Sequence, residues 1–368
     1  VGQVGGGGAD EARLASPFQR ARHFALEDPT IVQRDGRFAG FTMRLVDFQS
    51  TAPISVVWNP SSRAARSPGF NLKYLVSSAR NLASIVASLH EADYVIGDLN
   101  HSNVLVDPSG RVSLIDCDSL QVKIPGGRVI PCRVATPEFT APELLGADLP
   151  TVVREPWSDN FALATIVFQL VMEGVHPFQG VWRASGEPPS LGDRIRLGAY
   201  PYTARTATAV PPRFAVDYQY LPSEMRSAFE RAFCEGVLHP YARPSAREWR
   251  ALLISAGESL RQCTKNPSHF NFPHRLGCVW CERVLAGFPD SFPATGDSQR
   301  AAKANVVEDS TSIGAAHPSA APAQATTEVP RTRARVMRLR EIMVGYSCID
   351  VGAGRVPGPT RAALRRNH

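Results

Sequence analysis

The chain has 368 residues, 43% hydrophobic and 20% charged, an ordinary globular composition with room for two domains and tails. No run approaches the ~18 to 20 apolar residues that cross a bilayer, and no signal peptide opens the chain, so a soluble, cytoplasmic protein with no membrane partner is expected. The net charge of +6 comes from Arg, because Lys occurs only at Lys73, Lys123, Lys265 and Lys303. Much of that charge lies after residue 330, in "RTRARVMRLR" and "RAALRRNH", which reads as a solvated tail; contact with nucleic acid is the other reading. Three of the seven cysteines cluster late, which points to a metal site in a reducing compartment and away from a disulfide framework.

In chain order, residues 1 to 29 form an irregular segment with a Gly cluster, "VGQVGGGG", that lacks flanking strands and reads as a flexible stretch. Residues 36 to 58 alternate and read as strand-rich, "GRFAGFTMRLVDF" then "ISVVW". "NPSSRAARSPGFN", 59 to 71, is a loop by composition. A helix over 72 to 92 places Leu75, Val76, Ala79, Leu82, Ala83, Val86 and Leu89 on one face. Strands follow to about 135. The run 157 to 174 predicts a buried central helix, apolar nearly all round, with Ser158 or Asp159 as cap and Gly174 as stop. Helices are expected over 222 to 236 and 244 to 260, then a Cys/His segment over 261 to 285. From 286 onward the Ala/Pro/Ser/Thr-rich, Arg-ended chain reads as a disordered tail.

The stretch "VIGDLNHSNVLVDPSGRVSLIDCDSL", 95 to 120, carries the chemistry. "NVLVDPSGRVSLID" is a hairpin by pattern, with "DPSG" as its turn. Antiparallel pairing puts the entry of the first strand, Asn103, beside the exit of the second, Asp116. A carboxylate and an amide oxygen converging there suit a hard cation such as Mg²⁺ carrying phosphates. Asp98, five positions before Asn103, is placed to orient a hydroxyl and accept its proton during phosphoryl transfer.

These residues resemble the eukaryotic-type serine/threonine protein kinases. "GDLNHSNVLV" is similar to the catalytic loop H-R-D-L-x-x-x-N, and "IDCDS" to the metal-binding D-F-G segment, 13 positions from Asn103 to Asp116. "TPEFTAPEL" resembles the end of the activation segment, with Ala141-Pro142-Glu143 as its A-P-E. "SDNFALATIVFQLVMEGVHPFQG" resembles the long central helix whose leading Asp, here Asp159, holds the catalytic loop. "RPSAREW" resembles the late motif whose Arg, here Arg243, pairs with that glutamate. "GFTMRLVD" looks like the last N-lobe strand and hinge. The resemblance, over residues 30 to 260, implies an α+β kinase-like fold with a truncated N-lobe to about 58 and a mostly helical C-lobe over 72 to 260. It implies ATP bound by the hinge backbone at Met43, Arg44 and Leu45, Asp98 and Asn100 as catalytic residues, and Asn103 and Asp116 as Mg²⁺ ligands. A protein would be the substrate.

The departures are specific. Ile96 and Gly97 replace the usual His and Arg, so no dependence on activation-loop phosphate is expected. Asn100 replaces the usual loop lysine, and Cys117 and Asp118 replace Phe-Gly; Cys117 reads as a small packed side chain. No lysine precedes Lys73, so the anchoring lysine of the family has no match. That absence implies either a truncated N-lobe or a degenerate, non-catalytic kinase acting as a scaffold.

In "CTKNPSHFNFPHRLGCVWCER", Cys278-x-x-Cys281 offers two tetrahedral ligands, and Cys263 with one histidine completes four. His269 is preferred over His274. A segment this short needs a metal for its folding energy, so a structural Zn²⁺ is expected. The segment also resembles a short zinc-ribbon-like element of bacterial kinase-like proteins, some described as DNA-binding, with Val279 and Trp280 between its cysteines.

Overall fold

The computed structural model describes residues 30–32, 38–41, 46, 48–116, 119–124, 127–203 and 208–294. The irregular first 29 residues, the hinge residues Met43, Arg44 and Leu45, Cys117 and Asp118, and residues 295–368 of the tail lie outside the described residues.

β1 (Thr30–Val32) pairs antiparallel with β2 (Phe38–Phe41), and β3 (Ala52–Pro53) joins a separate sheet farther along. "ISVVW", expected as strand, is instead the short helix α1 (Ile54–Trp58). Its β-branched residues favour a strand, but Ile54, Val57 and Trp58 are buried at helical spacing, and packing overrides that preference. The expected loop 59 to 71 contains a second helix, α2 (Pro60–Arg66): Asn59 caps it by accepting from the Ser62 amide at 3.0 Å, and Pro60 starts it. α3 (Leu72–Glu91) follows, capped by Asn71, with all seven residues of the expected face buried.

β4 (Val104–Val106) and β5 (Val112–Leu114) form the predicted hairpin, with Val104 opposite Leu114, and β3 pairs with β4's other edge. The turn closes through Gly110 N to Asp107 O at 2.9 Å, and the Asp107 carboxylate accepts from the Ser109 and Arg111 amides. Gly110 has φ +81°, a conformation that favours glycine. A second hairpin pairs β6 (Val122–Lys123) with β7 (Val129–Ile130).

α4 (Pro156–Val171) is buried around nearly its whole circumference, as its composition predicts. Its cap differs from expectation. Glu155 holds the N-cap position without a side-chain bond, Pro156 opens the helix, and Asp159 is spent elsewhere. Beyond it lie β8 (Val181–Trp182), α5 (Leu191–Arg196), β9 (Ala209–Val210) and α6 (Ser223–Glu230), which runs into a π-helical turn, Arg231–Glu235. α7 (Ala246–Ser259) opens on a reciprocal capping box between Ser245 and Glu248. α3 packs against both α4 and α7, and Phe168 of α4 meets Phe229 of α6 edge-on at 5.0 Å.

The Cys/His segment is a β-hairpin, β10 (Arg261–Gln262) with β11 (Phe270–Asn271), followed by α8 (Val279–Leu285). It shares the core of the larger lobe: Trp280 lies 5.5 Å from Tyr220 and 4.7 Å from Phe292. Residues 286 to 294, which composition assigns to the tail, close this junction. Ser291 O accepts from buried Arg63 at 2.9 Å, whose guanidinium lies 4.3 Å over the Phe292 ring and bonds Glu173 at 3.1 Å. The mixed helix and small-sheet architecture is that of a kinase-like α+β fold with a Cys/His element after the helical lobe. No helix among the described residues is long and apolar enough to cross a membrane.

Candidate active site

The loop between α3 and β4 is held from below by one buried carboxylate. Asp159 Oδ2 accepts from the Ile96 amide at 2.7 Å and lies 2.9 Å from His90 Nε2, while Oδ1 accepts from the Gly97 amide at 2.8 Å. These charge-assisted bonds fix the backbone on the N-terminal side of Asp98. Gly97 has φ +77°, and a Cβ there would meet Cys132 at 2.6 Å and Arg154 Nη1 at 2.9 Å. Both conformation and space demand glycine at this position.

Asp98 is half-buried. Its Oδ1 accepts from both the amide and the hydroxyl of Thr136, each at 2.9 Å. Its carbonyl accepts from Asn100 Nδ2 at 3.2 Å and Asn103 Nδ2 at 3.1 Å. Asn100 is buried, and its Oδ1 accepts from the Ser102 amide at 2.8 Å, so both ends of the side chain engage the loop itself. Ile115 N donates to Asn103 O at 2.9 Å, which puts Asp116, the next residue, at the mouth of the hairpin beside Asn103. Asp116 is exposed and has φ +61°, a conformation Asp tolerates better than most residues and one that redirects its side chain from the strand. Asn103 Oδ1 takes no hydrogen bond among the described residues. Hard cations favour oxygen donors such as this amide and the Asp116 carboxylate, so the pair fits a divalent ion.

Two further ties brace the segment after the hairpins. Arg243 bonds Glu143 through both terminal nitrogens, at 2.7 and 2.6 Å, and Trp157 O at 3.0 Å. His176 Nε2 lies 2.9 Å from Glu138 O, and its Nδ1 accepts from the Phe178 amide at 3.2 Å. Complete burial holds the His176 ring neutral, with a pKa lowered to about 4. Thr136 and His176 lie inside the quoted "TPEFTAPEL" and "SDNFALATIVFQLVMEGVHPFQG" without being singled out there, and Arg154 lies in no quoted motif.

Cys263, His269, Cys278 and Cys281 converge, their ligand atoms all within 4.8 Å of one another. Tetrahedral zinc, with Zn–S about 2.3 Å and Zn–N about 2.0 Å, separates its sulfurs by about 3.8 Å and sulfur from nitrogen by about 3.5 Å. Cys263 and Cys281 sulfurs are 3.7 Å apart, and His269 Nδ1 lies 3.6 Å from Cys278 and 3.4 Å from Cys281. Asp290 Oδ1, 2.8 Å from His269 Nε2, and Asn266 Nδ2, at 3.1 Å, orient the ring from behind. His274 lies apart, bonded to Gln219 O. Burial opposes charge on His269, but the bonds to Asp290 and Cys278 outweigh it and raise its pKa to about 9. Burial likewise opposes the Cys278 thiolate, yet His269 and backbone donors bring it to about 6, while burial and the two neighbouring sulfurs push Cys281 up to about 12. Three sulfurs this close cannot all ionise without a cation among them, which is the donor chemistry of a zinc site.

No family model matches the chain. Over 254 residues, 67% of its length, the chain is 34% identical to protein kinase YegI of Escherichia coli strain K12, and equally to the protein of that name in Escherichia coli O157:H7. The match spans 38% of each relative, so the chain covers well under half their length. A shorter match, 30% identical over 112 residues, links 30% of the chain to 19% of rhodopsin kinase grk7a of Danio rerio.

Proposed function

The chain belongs to the protein kinase superfamily, and from that premise we propose that it moves the γ-phosphate of ATP to Ser/Thr hydroxyls of a protein substrate. The observation that carries this reading is Asp98, braced on one carboxylate oxygen by Thr136 and set beside the hairpin mouth that joins Asn103 to Asp116. Thr136 engages Oδ1, so the other oxygen is the one that would orient the acceptor hydroxyl and take its proton. Asn103 and Asp116 would hold Mg²⁺, which when bound neutralises phosphate charge. Asn100, locked to the loop backbone, positions Asp98, while Asp159, Glu143 and Arg243 keep loop and segment in register. Cys263, His269, Cys278 and Cys281 would hold a structural zinc.

Radiolabel transfer from ATP to the protein itself or to a general substrate tests the reading. Asp98→Asn should cut the rate by roughly 10²- to 10⁴-fold, the usual contribution of a positioned base; an unchanged rate overturns the assignment. A second reading, a nucleotide-independent scaffold, is favoured by Cys117-Asp118 standing where the family carries Phe-Gly and by Asn100 in place of the loop lysine. Thermal shift with ATP, with and without Mg²⁺, separates the two, since a ligand that binds only the folded state raises Tm.

A further inference from the structure

We propose that Arg154 is a positioning residue that locks the segment 132–136 against the catalytic loop without any phosphate. The inference rests on the phosphotransfer reading for its kinetic arm only. Arg154 lies just ahead of α4 and is buried. Its Nη1 donates to Gly97 O, and its Nη2 donates to Val134 O at 2.7 Å. The planar guanidinium fork thus joins the residue before Asp98 to the residue two before Thr136. Thr136 in turn holds Asp98.

The base of the fork is equally fixed. Gln121 Oε1 accepts from the Arg154 amide, and Gln121 Nε2 donates to the Arg154 carbonyl, both at 2.7 Å. Gln121 is itself bridged to Val95 by paired backbone bonds at 2.8 and 3.3 Å. The guanidinium is therefore aimed from a backbone hydrogen-bonded on both its amide and its carbonyl into the gap that Gly97, lacking a side chain, leaves open. Among the described residues Arg154 makes no ion pair; its guanidinium donates to carbonyls, and its Nε has no partner. A buried cation held by carbonyls alone is costly, and its removal would free two carbonyls at once, one on each side of the site. It is also covered, so an activation-segment phosphate has no access to it. The segment is held by chain contacts in every phosphorylation state.

The test measures phosphatase-treated wild-type protein beside Arg154→Ala and Arg154→Lys. Treated wild type should keep its kcat within about twofold, and Arg154→Ala should lose roughly 10²-fold in kcat, the usual effect of a small misplacement, with KM for ATP changed less than about twofold. Arg154→Lys, retaining one donor arm, should fall between. Amide hydrogen exchange over 132–136 should be slow in treated wild type and fast in Arg154→Ala, while α4 stays protected. Unchanged exchange in a cooperatively melting Arg154→Ala overturns the proposal, as does wild-type kcat lost on phosphatase treatment. If Arg154→Ala does not fold, open-loop exchange rates over 132–136 in treated wild type overturn it, and slow ones uphold it. If wild type transfers no phosphate, the phosphotransfer reading fails, and the exchange measurements alone decide for Arg154.

Discussion

Arg243 shows how much one side chain contributes when it is buried against a partial countercharge. Its guanidinium is covered, bonded to Glu143, and stacked 5.4 Å from the Phe161 ring. Arg243→Ala would strand Glu143 and the Trp157 carbonyl, and denaturant titration should show a loss of about 3 kcal/mol. His176 carries a pH signature. Its folded pKa, about 4, lies below the ordinary 6.5 because burial disfavours the charged ring. The unfolded chain therefore binds more protons between those values, and stability rises with pH across that window. The full contribution is present above about 6.5 and is lost as pH falls toward 4, a drop of roughly 3 kcal/mol from about 2.5 pK units. Melting temperatures followed from pH 7 to 4 should fall, and His176→Gln should flatten that slope. Asp98, Asn103 and Asp116 were legible because family order places them within one short stretch. Arg154, Asn266 and Asp290 were not, because each acts across a distance along the chain that no local pattern encodes.

At the level of elements, α3 and α4 could be read directly: one has a single apolar stripe, the other is apolar all round. α1 and α2 could not. "ISVVW" has the residues of a strand, and "NPSSRAAR" has the residues of a loop until Asn59 and Pro60 are seen as cap and first turn. The Cys/His element makes the clearest prediction at this scale. Metal analysis should find one zinc per chain, and His269→Ala should lose it while His274→Ala keeps it. Stripping the metal with a chelator should lower Tm, because the hairpin β10–β11 and α8 are too small to hold their own core. A protein that binds no zinc, or loses it equally in both variants, would sink the four-ligand assignment.

Across the whole molecule, the Cys/His element and the helical lobe share one interior. Arg63 joins the nearby Val57 O to Glu173 and Ser291 O from two distant stretches, with Phe292 under its guanidinium. Phe292→Ala should cost about 3 kcal/mol, by loss of buried contact area, in a single unfolding transition that includes the lobe; two separate transitions would show the element to be an independent module. A different consequence follows from the tight fit at Gly97, where any β-carbon would collide with Cys132 and with the arm reaching across from Arg154. A side chain at 97 would thus need two accommodations at once, one at Cys132 and one at Arg154. Gly97→Ala should therefore destabilise the loop, and shortening Arg154 alone should not rescue it, because Cys132 still meets the new β-carbon at 2.6 Å and φ stays at +77°.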